Sequence, residues 1–365
     1  MTNANNISYK QLAVLLVLSR LFSEGADLTA VEAGYSMQRF TVILASNLIL
    51  FLLYLPLIFL AQNYPSENVI SLAAGKSRGL GWLCGVFISL VLLVNAVSAM
   101  CSMSLYASST VLSEAPTVLL MLLPLLAAGM AAWKGLQGTA RSGVLLGALF
   151  VVFLLMIILS IWELLDWEWL YPAFLEEPGL FAGQVTRQVG RNSEILVFAV
   201  LMGQVDKKAA HTVYWYIPSV MLLQALKLLT QVLVLGPYLD SVTFPFFTIS
   251  ALSDIVLFQR LDGINVAIWL LICIVKVSLA LLCTRTIFTC LVGEKAGKCS
   301  VWIGTAIIAL TALPLGGASG STLSMDGIAS SWIILLIGGL LIPVIALLTA
   351  KAGYNREENS HEKSG

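Results

Sequence analysis

The chain has 365 residues, 59% of them hydrophobic and only 11% charged, and its formal net charge is zero. A soluble domain of this length cannot bury so much apolar surface, so the composition predicts a polytopic membrane protein. The zero net charge argues against a nucleic-acid partner, because phosphate binding requires a concentrated basic face.

The chain contains ten apolar segments that approach the length of a transmembrane helix, which needs about 20 residues. They are Gln11–Ala30, Phe40–Gln62, Gly81–Ser109, Val118–Trp133, Gly143–Trp162, Ser193–Val205, Val213–Leu235, Ile264–Cys290, Val301–Leu315 and Ser330–Ala350. We expect one ten-helix domain over residues 11–350, with tails at 1–10 and 351–365. Two connections are expected to hold short helices, one within residues 64–78 and one around Phe244–Phe247.

Basic and acidic residues alternate between successive connections, which predicts the orientation of the domain. The even connections and the C-terminal tail carry Lys76, Arg78, Lys134, Arg141, Lys207, Lys208, Lys295, Lys298, Lys351, Arg356 and Lys363. The odd connections lean acidic, with Glu114, Glu163, Asp166, Glu168, Glu176, Glu177, Asp240, Asp254, Asp262 and Asp326. This alternation predicts that both termini are cytoplasmic.

Ten spans divide into five plus five, and an odd number per half makes the second half enter the membrane upside down. The halves are residues 11–162 and about 184–350. Charged runs interrupt the first segment of each half, at Ser19–Gly25 and at Gly190–Glu194. Paired interruptions of this kind mark the binding site of inverted-repeat transporters. The sequence therefore predicts an all-α fold of the LeuT type, with broken helices 1 and 6.

Ionisable residues inside membrane segments face the bundle interior, because lipid exposure costs them a few kcal/mol. Helical spacing predicts ion pairs between Arg20 and Glu24 and between Arg191 and Glu194. In one interpretation these pairs only hold the broken helices. In the other a small polar ligand lies between the breaks, where backbone groups satisfy its charges and Gly25 and Gly190 permit the required conformations. The candidate ligand contacts are Ser23, Glu24, Gly25, Asn192, Ser193 and Glu194.

Two lysines are predicted to point inward. Lys227 shares a helical face with Gln224 and Gln231, and Lys276 shares a stripe with Cys273 and Cys283. A buried ammonium can replace a coupling cation or pair with a structural carboxylate, and the sequence leaves both roles open. With Arg20 and Arg191, these lysines are the candidate internal charge partners.

Polar residues recur along one face of the third segment. Asn95, Ser98 and Ser102 lie on it together with Tyr106, so these three are candidates for lining a pocket, although close helix packing also explains such a face. Neither histidine falls inside a predicted span and the six cysteines lack CxxC spacing, so we expect no enzyme, cofactor or metal site.

The sequence resembles the B subunits of endospore germinant receptors, a branch of the amino acid–polyamine–organocation transporters. The resemblance is carried by Tyr64-Pro65, Asn68, Gly75-Lys76, Gly79 and Ser193-Glu194, and above all by Phe244-Pro245, Arg260-Leu261-Asp262, Trp269, Lys276 and Ser278 between Gly236 and Arg285. Arg20 and Glu24 depart from the family's mostly uncharged first break.

The resemblance implies a subunit of the inner spore membrane that recognises a small nutrient, typically an amino acid. It also implies partners, namely an A subunit and a lipoprotein C subunit. Two alternatives stay open at this stage. One is a proton- or cation-coupled amino acid transporter, and the other is a structural or assembly subunit whose intramembrane charges are all paired.

Overall fold

The computed structural model describes residues 6–25, 36–170, 178–206, 208–253, 261–316 and 327–349. These residues are almost entirely helical. The helices are α1 (Tyr9–Gly25), α2 (Ser36–Asn63), α3 (Val69–Lys76), α4 (Arg78–Ser109), α5 (Thr117–Lys134), α6 (Leu136–Ser160), α7 (Pro178–Gly190), α8 (Glu194–Leu201), α9 (His211–Leu235), α10 (Pro245–Leu252), α11 (Asp262–Leu291), α12 (Glu294–Leu315) and α13, the span Gly327–Thr349.

Eight helices in the described ranges are long and apolar enough to cross a membrane: α2, α4, α5, α6, α9, α11, α12 and α13. The chain is therefore a multi-pass membrane protein. The predicted first and sixth segments correspond to shorter helices, the 17-residue α1 and the pair α7 and α8 of 13 and 8 residues. The count of ten spans stays a prediction.

The sixth segment is interrupted where the sequence predicted a break. Helix α7 ends at Gly190 and α8 begins at Glu194, so Arg191–Ser193 form a non-helical connection, here called the α7–α8 turn. In contrast, Ser19–Gly25 form the last turns of a regular helix. The predicted continuation of the first segment to Ala30 lies outside the described residues, as do Glu176, Glu177, Lys207 and the C-terminal tail.

The helices α4 and α11 form the centre of the bundle. In the apolar 18-residue stretch of each helix, 78% of the residues of α11 and 61% of those of α4 are buried, against 33% for each of α5, α6 and α12. Helix α11 packs against α1, α4, α5 and α12. The outer helices turn large apolar side chains outward, such as Leu145, Leu159 and Leu310, as expected for surfaces that face lipid.

Both predicted short helices are confirmed as helices. In α3, the Asn68 side chain accepts a hydrogen bond from the Ser71 backbone amide at 2.8 Å, and the Ser71 hydroxyl accepts one from the Asn68 amide at 3.0 Å. This reciprocal pair is a capping box, which satisfies donors that a helix start leaves unpaired. Helix α10 begins with Pro245, which suits the first helical turn because that position needs no amide donor.

Helix α8 has contacts beyond its C-terminal end and along its side. Beyond its C-terminal end, Ile7 forms a parallel β-bridge with Val205: the Ile7 amide donates to the Gln204 carbonyl and the Asp206 amide donates to the Ile7 carbonyl, both at 3.1 Å. Along its side, α8 packs against a π-helical turn of α13 at Ile337–Leu341, where glycines 338 and 339 leave room for the side chains of Leu196 and Ile195.

Candidate functional site

The predicted site residues gather where four elements meet: the last turns of α1, the α7–α8 turn, the middle of α4 and the middle of α11. Glu194 and Asn192 are fully buried, and Ser193, Arg191 and Lys276 are nearly so. On α4, Asn95 and Ser98 face inward, and Ser102 is half-buried. The residues come from distant parts of the chain, so only the fold brings them together.

Glu194 forms a buried ion pair with Lys276 of α11. The Lys276 Nζ lies 3.1 Å from Glu194 Oε1, and the Ser19 hydroxyl donates to the same oxygen at 2.7 Å. The ammonium also donates to the Ser23 hydroxyl at 2.8 Å and lies 3.3 Å from the Ser19 carbonyl oxygen. One carboxylate and one ammonium thus join α1, α8 and α11.

This ion pair differs from the one that spacing predicted for Glu194, which was with Arg191. The i,i+3 rule holds only on a continuous helix. Residues 191–193 form the α7–α8 turn instead, so Arg191 and Glu194 do not share a helical face. Because Glu194 opens α8, its side chain is directed towards α1 and α11.

A second charged cluster surrounds Glu24. Arg20 Nε lies 3.0 Å from Glu24 Oε1, which is the predicted pair, and Gln188 donates to that oxygen at 3.1 Å. The Gln224 side chain also donates to it, and the Lys227 ammonium donates to the Glu24 backbone carbonyl at 2.8 Å. The polar face of α9 that the sequence predicted therefore meets the C-terminal end of α1.

Asn192 holds the α7–α8 turn through two tyrosines that the sequence reasoning missed. Its Oδ1 accepts from the Tyr54 hydroxyl at 3.3 Å, and its Nδ2 donates to the Tyr216 hydroxyl at 3.0 Å. All three residues are almost completely buried. A tyrosine inside an apolar span needs a partner for its hydroxyl, and that need was the signal available in the sequence.

A small cavity of about 30 Å³ opens among these elements. Its described lining consists of Phe22, Ser23, Asn95, Ser98, Ala99, Ser102, Arg191, Lys276, Ala329 and Ser330. Six of the predicted residues thus lie on the cavity wall, whereas the predicted contacts Glu24, Gly25, Asn192, Ser193 and Glu194 are not among its described lining residues. The cavity holds roughly one or two water molecules.

Gly25 and Gly190 are required for a different reason than the sequence suggested. Neither has a positive φ angle. Instead, a Cβ on Gly25 would lie 2.1 Å from the Trp269 ring, and a Cβ on Gly190 would lie 2.0 Å from the Ser330 carbonyl oxygen. Close packing, and not an unusual backbone conformation, demands glycine at both positions.

The cavity wall carries two cationic side chains, of which Lys276 is already paired with Glu194. A guanidinium and an ammonium line it, and the hydroxyls of Ser23, Ser98 and Ser102 can donate or accept hydrogen bonds. No carboxylate is among the described lining residues. Arginine in particular binds carboxylates in a planar, bidentate arrangement.

The solved structures that match this fold include a transporter. Among solved structures, 28 chains match, one of them described as the substrate-bound outward-open state of a Na⁺-coupled sialic acid symporter. The alignment covers 96% of this chain and 89% of the symporter chain, with a TM-score of 0.64 and 11% sequence identity. This likeness confirms the predicted LeuT-type fold.

The sequence comparisons identify the family. No curated protein matches the sequence significantly. A family model described as "Spore germination protein" (Spore_permease) matches residues 6–316, which include α1 to α12 and all the site residues discussed above except the two on α13. A match over that much of the chain shows membership, and the predicted resemblance is confirmed. The chain belongs to the Spore_permease family of spore germination proteins.

Proposed function

We propose that this protein is the germinant-sensing membrane subunit of a spore germination receptor, and that it binds a small nutrient such as an amino acid between α1 and the α7–α8 turn. The observation that carries the proposal is the cavity wall, where Arg191 and Lys276 stand beside serine hydroxyls and small apolar residues. That combination fits a small molecule that carries a carboxylate, such as an amino acid. The family membership supports a role in germination.

The size of the cavity supports sensing by a change of conformation. At about 30 Å³ the space is smaller than an amino acid. We therefore propose that a ligand favours a state in which the α7–α8 turn and α1 stand further apart. A ligand shifts such an equilibrium only by its differential affinity for the two states. Binding would in this way change the population of the open state.

The change of state would be read by partner subunits. By resemblance to the family, these are an A subunit and a lipoprotein C subunit in the inner spore membrane. With the orientation predicted from the basic connections, both termini face the cytoplasm.

The proposal is tested by thermal unfolding of the purified protein in detergent against a panel of amino acids, sugars and nucleosides. A ligand that binds only the folded state raises the midpoint as its concentration rises. We expect an amino acid to do so for wild type and not for Arg191→Gln. The matched control is Arg187→Gln, which removes an arginine from the exposed side of α7 and should leave the shift intact.

Absence of any shift with every compound would contradict an autonomous ligand site. It would favour a structural or assembly subunit, in which the charges only hold the helices together.

The second candidate function is a proton- or cation-coupled amino acid transporter. The likeness to the Na⁺-coupled symporter favours it, because the two chains share the fold over nearly their full length. Uptake of a labelled amino acid into liposomes that contain only this chain would establish transport. A sensor would bind the amino acid without accumulating it.

A further inference from the structure

Basic side chains gather at one end of the bundle, where α5 ends and α12 begins. Lys134 is the last residue of α5, and Lys295 and Lys298 lie in the first two turns of α12; all three are exposed. Those turns of α12 contain one acidic residue, Glu294, and the sequence from residue 126 to residue 149 contains none. This end of the bundle therefore carries a local excess of positive charge, although the formal net charge of the chain is zero.

Arg285 of α11 contacts both of the helices that carry these lysines. Its Nη1 donates to the carbonyl oxygen of Trp133 at 2.9 Å, at the C-terminal end of α5. Its backbone carbonyl lies against α12, because a Cβ added to Gly297 would be 2.8 Å from that oxygen. Lys134 is the next residue after Trp133, and Lys298 is the next residue after Gly297. The two lysines therefore lie on either side of one arginine, whose guanidinium adds to the positive charge there.

Two tryptophans lie beside this basic cluster on the outer face of the bundle. Trp133 and Trp302 are 49% and 42% exposed. A Cβ added to Gly129 would be 3.5 Å from the Trp302 ring, so that ring lies against α5 one turn before Trp133. Lys298 precedes Trp302 by four residues and thus shares its helical face. Indole rings next to basic residues at the end of a membrane span lie at the level of the lipid headgroups.

Further along, the same two helices turn aliphatic side chains outward. These are Leu123, Leu126 and Met130 on α5 and Ile303, Ile307 and Leu310 on α12. Along the helix axes the surface thus changes from basic residues to indole rings and then to aliphatic residues. A phospholipid has its groups in the same order, with a phosphate at one end and acyl chains at the other.

We propose that the adjoining ends of α5 and α12 bind an anionic phospholipid, with its phosphate at Lys134 and Lys298 and its acyl chains along Trp133 and Trp302. The ion pair between Lys298 and Glu294, at 2.8 Å, is exposed and contributes little, so Lys298 can also serve the phosphate. The basic connections predict that this end faces the cytoplasm, where the membrane surface carries anionic lipids.

The lipid joins α5 to α12, both of which pack against the central helix α11, and so it stabilises the bundle. This lipid site does not depend on the proposed function, because none of its residues lines the cavity described above.

The site is tested by the thermal midpoint of the purified full chain in a neutral detergent, as dioleoyl phosphatidylglycerol is added. We expect the midpoint to rise to a plateau, because a lipid that binds only the folded state stabilises it. Dioleoyl phosphatidylcholine has the same acyl chains without the net charge and should raise the midpoint far less. Glycerol 3-phosphate has the phosphate without acyl chains and should not raise it. Equal shifts with the two lipids would overturn the proposal, and a full shift with glycerol 3-phosphate would replace the lipid by a free phosphate.

The double variant Lys134→Gln/Lys298→Gln locates the site. It should need at least about tenfold more phosphatidylglycerol for half of the shift, because each basic residue near the surface contributes to binding an anionic lipid. The matched control is Lys10→Gln/Lys208→Gln, which removes two exposed lysines near the first turns of α1 and α9. The control should respond as wild type does. Equal weakening in both double variants would mean that total charge, and not this site, determines lipid binding.

Native mass spectrometry of wild type gives a second measurement that does not depend on the folding of any variant. Wild type should retain phosphatidylglycerol under activation that removes phosphatidylcholine, and equal retention of the two lipids would contradict the site. Hexaglutamate tests the same basic cluster for an acidic protein segment. A rise of the midpoint with hexaglutamate and not with phosphatidylglycerol would overturn the lipid proposal in favour of an acidic protein partner.

Discussion

At the scale of single residues, the buried pair of Glu194 and Lys276 matters for stability mainly because neither charge is left without its partner. Replacing Glu194 by glutamine leaves a buried ammonium without its carboxylate. Loss of one partner of a buried pair typically destabilises by about 3–5 kcal/mol. We expect Glu194→Gln to lower stability by that amount, measured by unfolding in detergent.

The control for this prediction is the double variant Glu194→Gln/Lys276→Met, which removes both charges. It should be less destabilised than the sum of the single variants, with a coupling of about 1–3 kcal/mol. Additive effects would mean that the two side chains do not interact energetically in the membrane.

Gly25 offers a second prediction at this scale. Trp269 lies against it and is held by edge contacts to Phe22, Phe150 and Phe246, so the ring cannot swing away. Gly25→Ala should therefore overpack the site and reduce stability by about 1–3 kcal/mol. Adding Trp269→Leu should recover part of that loss relative to Trp269→Leu alone, which thermal unfolding can measure. No loss in Gly25→Ala would show that the contact is loose.

The sequence predicted contacts within a helix better than contacts between helices. The pair of Arg20 and Glu24 followed from i,i+4 spacing on a continuous helix. The partner of Glu194 lies 82 residues away on another helix, and no spacing rule reaches that far. Lys276 was identified as an inward charge because lipid exposure is costly, but its partner depended on how the helices pack.

At the scale of elements, α7 packs closely against α13 at Gly190, where the break between α7 and α8 begins. Gly190→Ala would place a methyl group 2.0 Å from a backbone oxygen, at Ser330, and 3.0 Å from the Trp332 amide nitrogen. Backbone atoms cannot rotate away, so we expect a loss of more than about 1 kcal/mol. The measurement is the thermal midpoint.

Gly183 is the matched control on the same helix. A Cβ there meets nothing within 4 Å, so Gly183→Ala should be neutral, or stabilising by up to about 1 kcal/mol through helix propensity. Equal midpoints for the two alanine variants would contradict close packing at Gly190.

Helix bounds were predicted less well where a helix continues beyond its apolar part. Helix α6 begins at Leu136, seven residues before the predicted start, and α12 begins at Glu294, also seven residues early. Those first turns contain polar and charged residues. Hydropathy indicates the part of a helix that lies in lipid, whereas the backbone continues to form helical hydrogen bonds outside it.

At the scale of the whole molecule, the fold class was predictable because composition, charge alternation and two interrupted segments agreed. The described residues and the fold likeness confirm a helical bundle of this type. The direction in which the bundle enters the membrane stays a prediction. It follows from the basic connections alone.

Thiol labelling in intact cells would decide the orientation. Ser113 lies exposed in the connection between α4 and α5, which is predicted to face outside. A membrane-impermeant maleimide should label Ser113→Cys without permeabilisation. The native Cys290 and Cys299 are exposed near the connection between α11 and α12 and should react only after permeabilisation. The reverse pattern would place both termini outside.

The bridge between Ile7 and Val205 bears on how this protein can be handled. Helix α8 is only eight residues long, about 12 Å; Glu194 lies at its first position, and Val205, which forms the bridge, lies four residues past its last. A rigid segment that short moves as a unit, so the N-terminal segment at Ile7 is attached to the element that carries the site. An affinity tag or fluorescent fusion placed immediately before Ile7 would disturb the two backbone hydrogen bonds that Ile7 forms with Gln204 and Asp206. Tags therefore belong at the other terminus.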